Sequence, residues 1–434
     1  MEPKTKISEE KKHNPKLTQM LREATRDIHS RLEGTPFARA LMKKNLNENA
    51  YAGFIRVMAV IHGALEKSLD ACTHPGVRQV WTGELRRLPS LLQDNYFFRR
   101  QLIPDAPDAI GTARKAASHI MLLSEQEPMA LLGCLYVLGG STRGAVILSP
   151  LVAEAFKMTS GKGLTYLSRH SIQGPGEWAE TSALMDDLVI SHGDVQSMIA
   201  AAKKLFGYLV TAFEALWPLD DTAMEYTSSA LNPESGTHPV PRRREDMLAV
   251  LAASDRCLAE YPYFLYRYGM RGRHFADADG AWLATLPECG QEVLQSQVSW
   301  LGGVLSVRGM PQILLARHLE ILTEELISAR SDNAPDWNLL TLAARDIREK
   351  LENRFPISLR ADQLRMLQHD LGCHQDFAAT EAMDLIFSAL TDEAQGHQGS
   401  AQSLLKWFTD SHQFPQKWIT AINARIDDLT ALSK

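Results

Sequence analysis

Apolar residues recur at intervals of three and four along nearly the whole chain. Leu17, Leu21, Ala24, Ile28 and Leu32 make one stripe, and Phe54, Val57, Met58, Ile61 and Leu65 make another. A helix turning once every 3.6 residues brings such positions to one side, so each stripe predicts an amphipathic helix with a buried face. In the first half the pattern predicts helices through 17–32, 51–69, 110–125, 128–148, 178–191 and 194–216. In the second half it predicts 246–268, 290–307, a helix opened by Pro311, 337–353, 360–371, 375–390 and 416–432, with DEAQGHQGSAQ as the loop before the last. Proline suits a first helical position, where a missing N–H costs nothing. Alternating β-branched runs between tight turns are absent, so the expected fold class is all-α.

One stretch breaks the helical period. From Asp220 to Arg244 the chain reads DDTAMEYTSSALNPESGTHPVPRRR, which predicts a linker between a helical domain over 17–219 and a second over 245–434. The Arg242–Arg244 run reads as the solvated end of that linker. Residues 1–16 lack the apolar core of a signal peptide and read as a disordered tail. No apolar run reaches the roughly 18 to 20 residues of a membrane span. The longest candidate, 129–148, is interrupted by Gly139, Gly140, Ser141, Thr142 and Arg143. Across 434 residues the net charge is -6, which gives no basic field to draw nucleic acid or an anionic membrane. The five cysteines are scattered without a CxxC pair, which argues against zinc ribbons and disulfide frameworks. The expectation is a cytoplasmic protein.

Candidate chemistry gathers in two segments. In LREATRDIHSRLE, residues 21–33, His29 stands one turn from Thr25 and Arg26 and two turns from Arg22. An imidazole is a nitrogen donor suited to metal, and two guanidiniums along the same side supply forked donors for carboxylates. A ligand with one metal and two carboxylates fits that layout, and heme is such a ligand. On spacing alone a surface histidine beside two solvated arginines explains the pattern better. The second segment is LYVLGGSTRGAVIL, residues 135–148, with Gly140 and Gly144 one turn apart. Mid-helix, each glycine costs about 1 kcal/mol relative to alanine. Either another helix packs closely on that face, or a flat ligand lies against bare backbone.

Together these segments resemble the heme oxygenase family. LREATRDIHSRLE is similar to the family's proximal helix, with His29 where the axial ligand sits and Arg22 and Arg26 where basic residues meet the propionates. YAGFIRVMAVIHGALE resembles the helix that follows, and VLGGSTRGAVIL the glycine-rich distal helix that arches over the heme. The likeness spans about residues 17–215, with the motifs in the family's order. It implies heme held by iron on His29, with Arg22, Arg26 and Thr25 as cofactor-binding residues and Gly140, Ser141 and Gly144 as the distal wall. The implied activity is opening of heme to biliverdin, iron and carbon monoxide with O2. GxGxxG after a strand is absent, so the electrons would come from a separate reductase or ferredoxin. The pattern departs from the best-known members at Ser141, where they carry an aspartate that orders a water chain. A serine hydroxyl both donates and accepts, and can hold a water without supplying charge. A heme-binding sensor or carrier is the alternative from another class. A di-iron oxidase would need inward Glu and Glu-x-x-His ligands, and no convincing set is present.

Other residues read as structural. His62 falls on the apolar side of its helix, and His318 lies inside LLARHLEIL. His369, Cys373 and His374 match no standard metal spacing, and the aromatic run 261–275 reads as packed core followed by a polar turn. Residues 246–434 carry no motif from which a family is recognised.

Overall fold

The computed structural model describes residues 16–99, 101–219, 224–372 and 377–432. Most of the expected tail, Asp220–Ala223 of the expected linker, and Cys373 with His374 lie outside the described residues. The described chain is helices joined by turns, with no strand, so the fold class is all-α. It divides into two compact units, Met1–Glu225 and Tyr226–Lys434.

The first unit contains α1 (Leu17–Glu33), α2 (Pro36–Met42), α3 (Glu48–Ala71), α4 (Pro75–Val80), α5 (Leu88–Arg99), α6 (Pro107–Gln126), α7 (Leu131–Gly140), α8 (Thr142–Phe156), α9 (Thr165–Ile172), α10 (Gly174–Asp186) and α11 (His192–Leu216). Its centre is α3, buried on nearly all sides, as befits a helix apolar all round. Helices α5, α6, α7 and α11 pack against it. The expected single helix over 128–148 is broken at Ser141. Two glycines weaken the helix there, and the Ser141 hydroxyl donates back to the Leu138 carbonyl at 2.7 Å, a bond that bends helices. The helix expected over 178–191 starts earlier, at Gly174, and ends at Asp186. Sequence periodicity missed α2, α4, α5 and α9, which are too short to repeat a stripe clearly.

Taken through the break, Pro128–Phe156 is long and apolar enough to cross a membrane, contrary to the sequence expectation. Of its most apolar window, 56% is buried against the rest of the protein. Packing accounts for much of that hydropathy.

The second unit contains α12 (Ser228–Leu231), α13 (Arg244–Glu260), α14 (Tyr263–Leu283), α15 (Gln291–Ser306), α16 (Gln312–Ala329), α17 (Ala334–Arg354), α18 (Ile357–Leu371), α19 (Phe377–Ala394), α20 (Ser400–Phe408) and α21 (Gln416–Leu432). Pro262 separates α13 from α14, so the single helix expected over 246–268 is two. The expected polar turn after 261–275 is helix, with Asp277 fully buried. Part of the expected loop before the last helix is α20. Within the expected linker, Ser228, Ser229 and Asn232 are buried, and the Leu231 carbonyl bonds His274 Nδ1 at 2.8 Å. That part is packed structure rather than a solvated tether.

Candidate functional site

Helix α1 has no side-chain cap of its own. Asp186, at the end of α10, accepts from the Thr18 amide at 2.9 Å and its hydroxyl at 2.8 Å, satisfying an orphan donor of the first turn. Leu17 and Leu21 bury the opposite stripe, which turns Arg22, Arg26 and His29 to the outside. The His29 side chain is 52% exposed, with Nδ1 3.7 Å from the Glu33 carboxylate. The ring meets Phe206 of α11 edge-on at 5.6 Å. Among the described residues His29 Nε2 makes no hydrogen bond, and no carboxylate pairs with Arg22, Arg26 or Arg143. Thr25 turns inward instead. It is buried, and its hydroxyl donates to the Leu21 carbonyl at 2.7 Å.

The glycines of α7 and α8 differ in what a methyl group would meet. At Gly133 it would lie 2.1 Å from the Met198 carbonyl oxygen of α11, and at Gly139 2.7 Å from the Trp178 ring of α10. These two carry the helix packing. At Gly140 the nearest atom would be 3.7 Å away, on Trp178, and at Gly144 nothing lies within 4 Å. The close-packed neighbour considered for Gly140 and Gly144 is therefore absent among the described residues.

Tyr136 joins the two sides. It precedes Gly140 by four residues and Gly144 by eight, so it shares their stripe. Its hydroxyl lies near Thr25 of α1. Burial raises its pKa, while Thr25 and the nearby guanidiniums Arg22 and Arg143 oppose the rise. Arginines from α1 and from the start of α8 thus lie within electrostatic reach of one tyrosine on the glycine stripe. That donor set fits a planar dianionic ligand carrying a metal.

Ser141 does not join this side. Its hydroxyl donates to the Leu138 carbonyl at 2.7 Å and bonds His170 Nε2 of α9 at 2.8 Å. With its proton committed to Leu138, Ser141 could hold a water only as an acceptor. Behind it lies a buried polar cluster. The Arg87 Nε donates to His170 Nδ1 at 2.9 Å, Arg87 also pairs with Glu177, and its amide donates to Glu66 at 2.7 Å. The Nδ1 of His62 approaches the same Glu66 oxygen at 3.3 Å, so His62 is core, though its Nε2 has no partner among the described residues. His170 is equally buried. Sequence reading missed Tyr136, although its place in the glycine stripe was a usable signal. Phe206 and Arg87 gave none, because only the tertiary fold brings them near.

Residues 15–215 match the family model described as heme oxygenase. The match is to the heme oxygenase family. Chicken heme oxygenase 1 is 24% identical over 248 residues, covering 55% of this chain and 83% of that protein. Rat heme oxygenase 2 is 24% identical over 205 residues, covering 46% of this chain and 65% of its own. Among solved structures, the heme oxygenase from Leptospira interrogans is similar at 25% identity and a TM-score of 0.42, over 46% of this chain and 99% of that one. Heme oxygenase-1 from Synechocystis, solved in complex with heme, is similar at 21% identity and a TM-score of 0.43, over 47% of this chain and 93% of that one. The family match ends at residue 215, so α12–α21 lie outside it.

Proposed function

We propose that the heme oxygenase region binds heme between α1 and the open side of α7–α8, and opens the ring to biliverdin, iron and carbon monoxide. The family match supports heme degradation as the general chemistry. The observation that carries the reading on this chain is the bare backbone at Gly144, on the same stripe as a tyrosine within electrostatic reach of Arg22 and Arg143. In this reading His29 Nε2 is the axial ligand, with Phe206 and Glu33 setting the ring's orientation. Arg22 and Arg26 take the propionate carboxylates through forked hydrogen bonds. Bound heme supplies the iron that activates O2 and the carbon that is oxidised, so the chain needs few acid–base groups. Its own residues fill one axial position and keep bulky side chains off the other. A separate reductase or ferredoxin supplies electrons, and the proposed compartment is the cytoplasm.

A heme sensor or carrier is the second reading, favoured by one observation: the Ser141 hydroxyl is spent on Leu138 and His170. Heme is added to the full-length protein, then ascorbate or a reductase, and the Soret band is followed against bilin absorbance. Loss of the Soret band with growth of bilin is expected. A heme that stays intact for hours with oxygen and electrons present supports the carrier instead.

A further inference from the structure

The break between α7 and α8 is held from behind by one buried histidine. His170 is 1% exposed, and its ring stacks on Tyr166 with centroids 5.4 Å apart. Arg87 Nε points its proton at His170 Nδ1, and a guanidinium has no lone pair with which to accept. Nδ1 is therefore the bare nitrogen, and Nε2 carries the proton it donates to Ser141 Oγ. Ser141 then gives its own proton to Leu138. Burial first, then the Arg87 guanidinium and His62, hold the His170 pKa well below the ordinary histidine value, so the neutral ring persists.

We infer that His170 is a positioning residue for the proposed heme site: with Arg87 it fixes Ser141 at the break, and so sets how Gly140 and Gly144, on either side, are disposed. This rests on the heme reading for its ligand, though the hydrogen bonds do not. His170 does not relay protons. A proton reaching Nε2 would have to leave from Nδ1, and that position faces a guanidinium N–H, which has no lone pair to accept it.

The test uses full-length protein with heme, and carbon monoxide as the probe of the open face. His170→Phe keeps the ring's bulk and removes both nitrogens, whereas His170→Gln retains one acceptor and one donor. His170→Phe is expected to weaken heme binding about tenfold and to shift the C–O stretch of the ferrous complex, with His170→Gln recovering most of both. A folded His170→Phe with wild-type affinity and stretch overturns the inference. Should His170→Phe not fold, Ser141→Ala takes its place: a shifted stretch supports the clamp and an unchanged one overturns it. Ring-nitrogen NMR of the heme-free protein is an independent arm. One bare and one protonated nitrogen at pH 7 is expected, with the protonated resonance moved by Ser141→Ala, and a protonated Nδ1 overturns the clamp. Wild-type protein that binds no heme at all would instead sink the heme reading.

Discussion

The Gly133 end and the Gly144 end of α7–α8 use the same residue type in opposite ways. A methyl group at Gly133 would sit 2.1 Å from a backbone oxygen of α11, whereas one at Gly144 would meet nothing within 4 Å. At the Gly133 end, bare backbone lets α7 approach α11 closely, and behind the break buried polar groups lock the helices: Glu66, Arg87 and His170 are each at most 2% exposed. At Gly144 the backbone is bare, with nothing within 4 Å of an added methyl group, and Arg22, Arg26 and Arg143 have no carboxylate partners among the described residues. Glycine in a helix is costly in both places. Only at Gly133 does helix packing in the fold itself repay the cost.

The sharpest way to break this comparison is one pair of alanine substitutions. Gly133→Ala must push α7 off α11, because the obstacle is backbone and cannot rotate away. It should destabilise the first unit by about 3 kcal/mol. Gly144→Ala should leave stability unchanged or raise it by up to about 1 kcal/mol, while weakening heme binding. Urea unfolding of both variants checks this, and equal destabilisation would erase the distinction between the two ends.

A second prediction concerns only the buried groups behind the break. Asp94 of α5 is fully buried and accepts the amides of Thr165 and Tyr166 at 2.7 and 2.8 Å, pinning the start of α9 beneath His170. Burial raises its pKa from 3.8 to about 6. The folded form therefore binds the extra proton between these values. Its contribution is fully present below about pH 4 and is lost as pH rises through 6. Relative to Asp94→Asn, wild-type protein should lose roughly 3 kcal/mol of stability between pH 4 and pH 6.5. A pH-independent difference between the two would show that Asp94 titrates as it does in the unfolded chain.

Sequence pattern made much of this legible. Leu17 and Leu21 placed α1, and a four-residue repeat put His29, Arg26 and Arg22 on one side of it. Periodicity also marked α3, α6 and α11 to within a few residues. It could not tell Gly139 from Gly140, because the difference is Trp178, a residue of another helix. Nor could it see the bond from Ser141 at the break to His170, 29 positions away. In the second unit Pro262 should have been read as a boundary between α13 and α14, and the apolar run around it hid that.

The most direct test of the central claim is a heme titration of wild-type protein and His29→Ala, with the axial ligand read from the Soret band and magnetic resonance. His29 is half exposed and makes no hydrogen bond through Nε2 among the described residues, so the substitution should leave helicity and melting temperature almost unchanged. The account predicts one heme per chain in the wild type with an imidazole-ligated spectrum, and loss of that signature in His29→Ala. An unchanged axial-ligand signature in His29→Ala would contradict it.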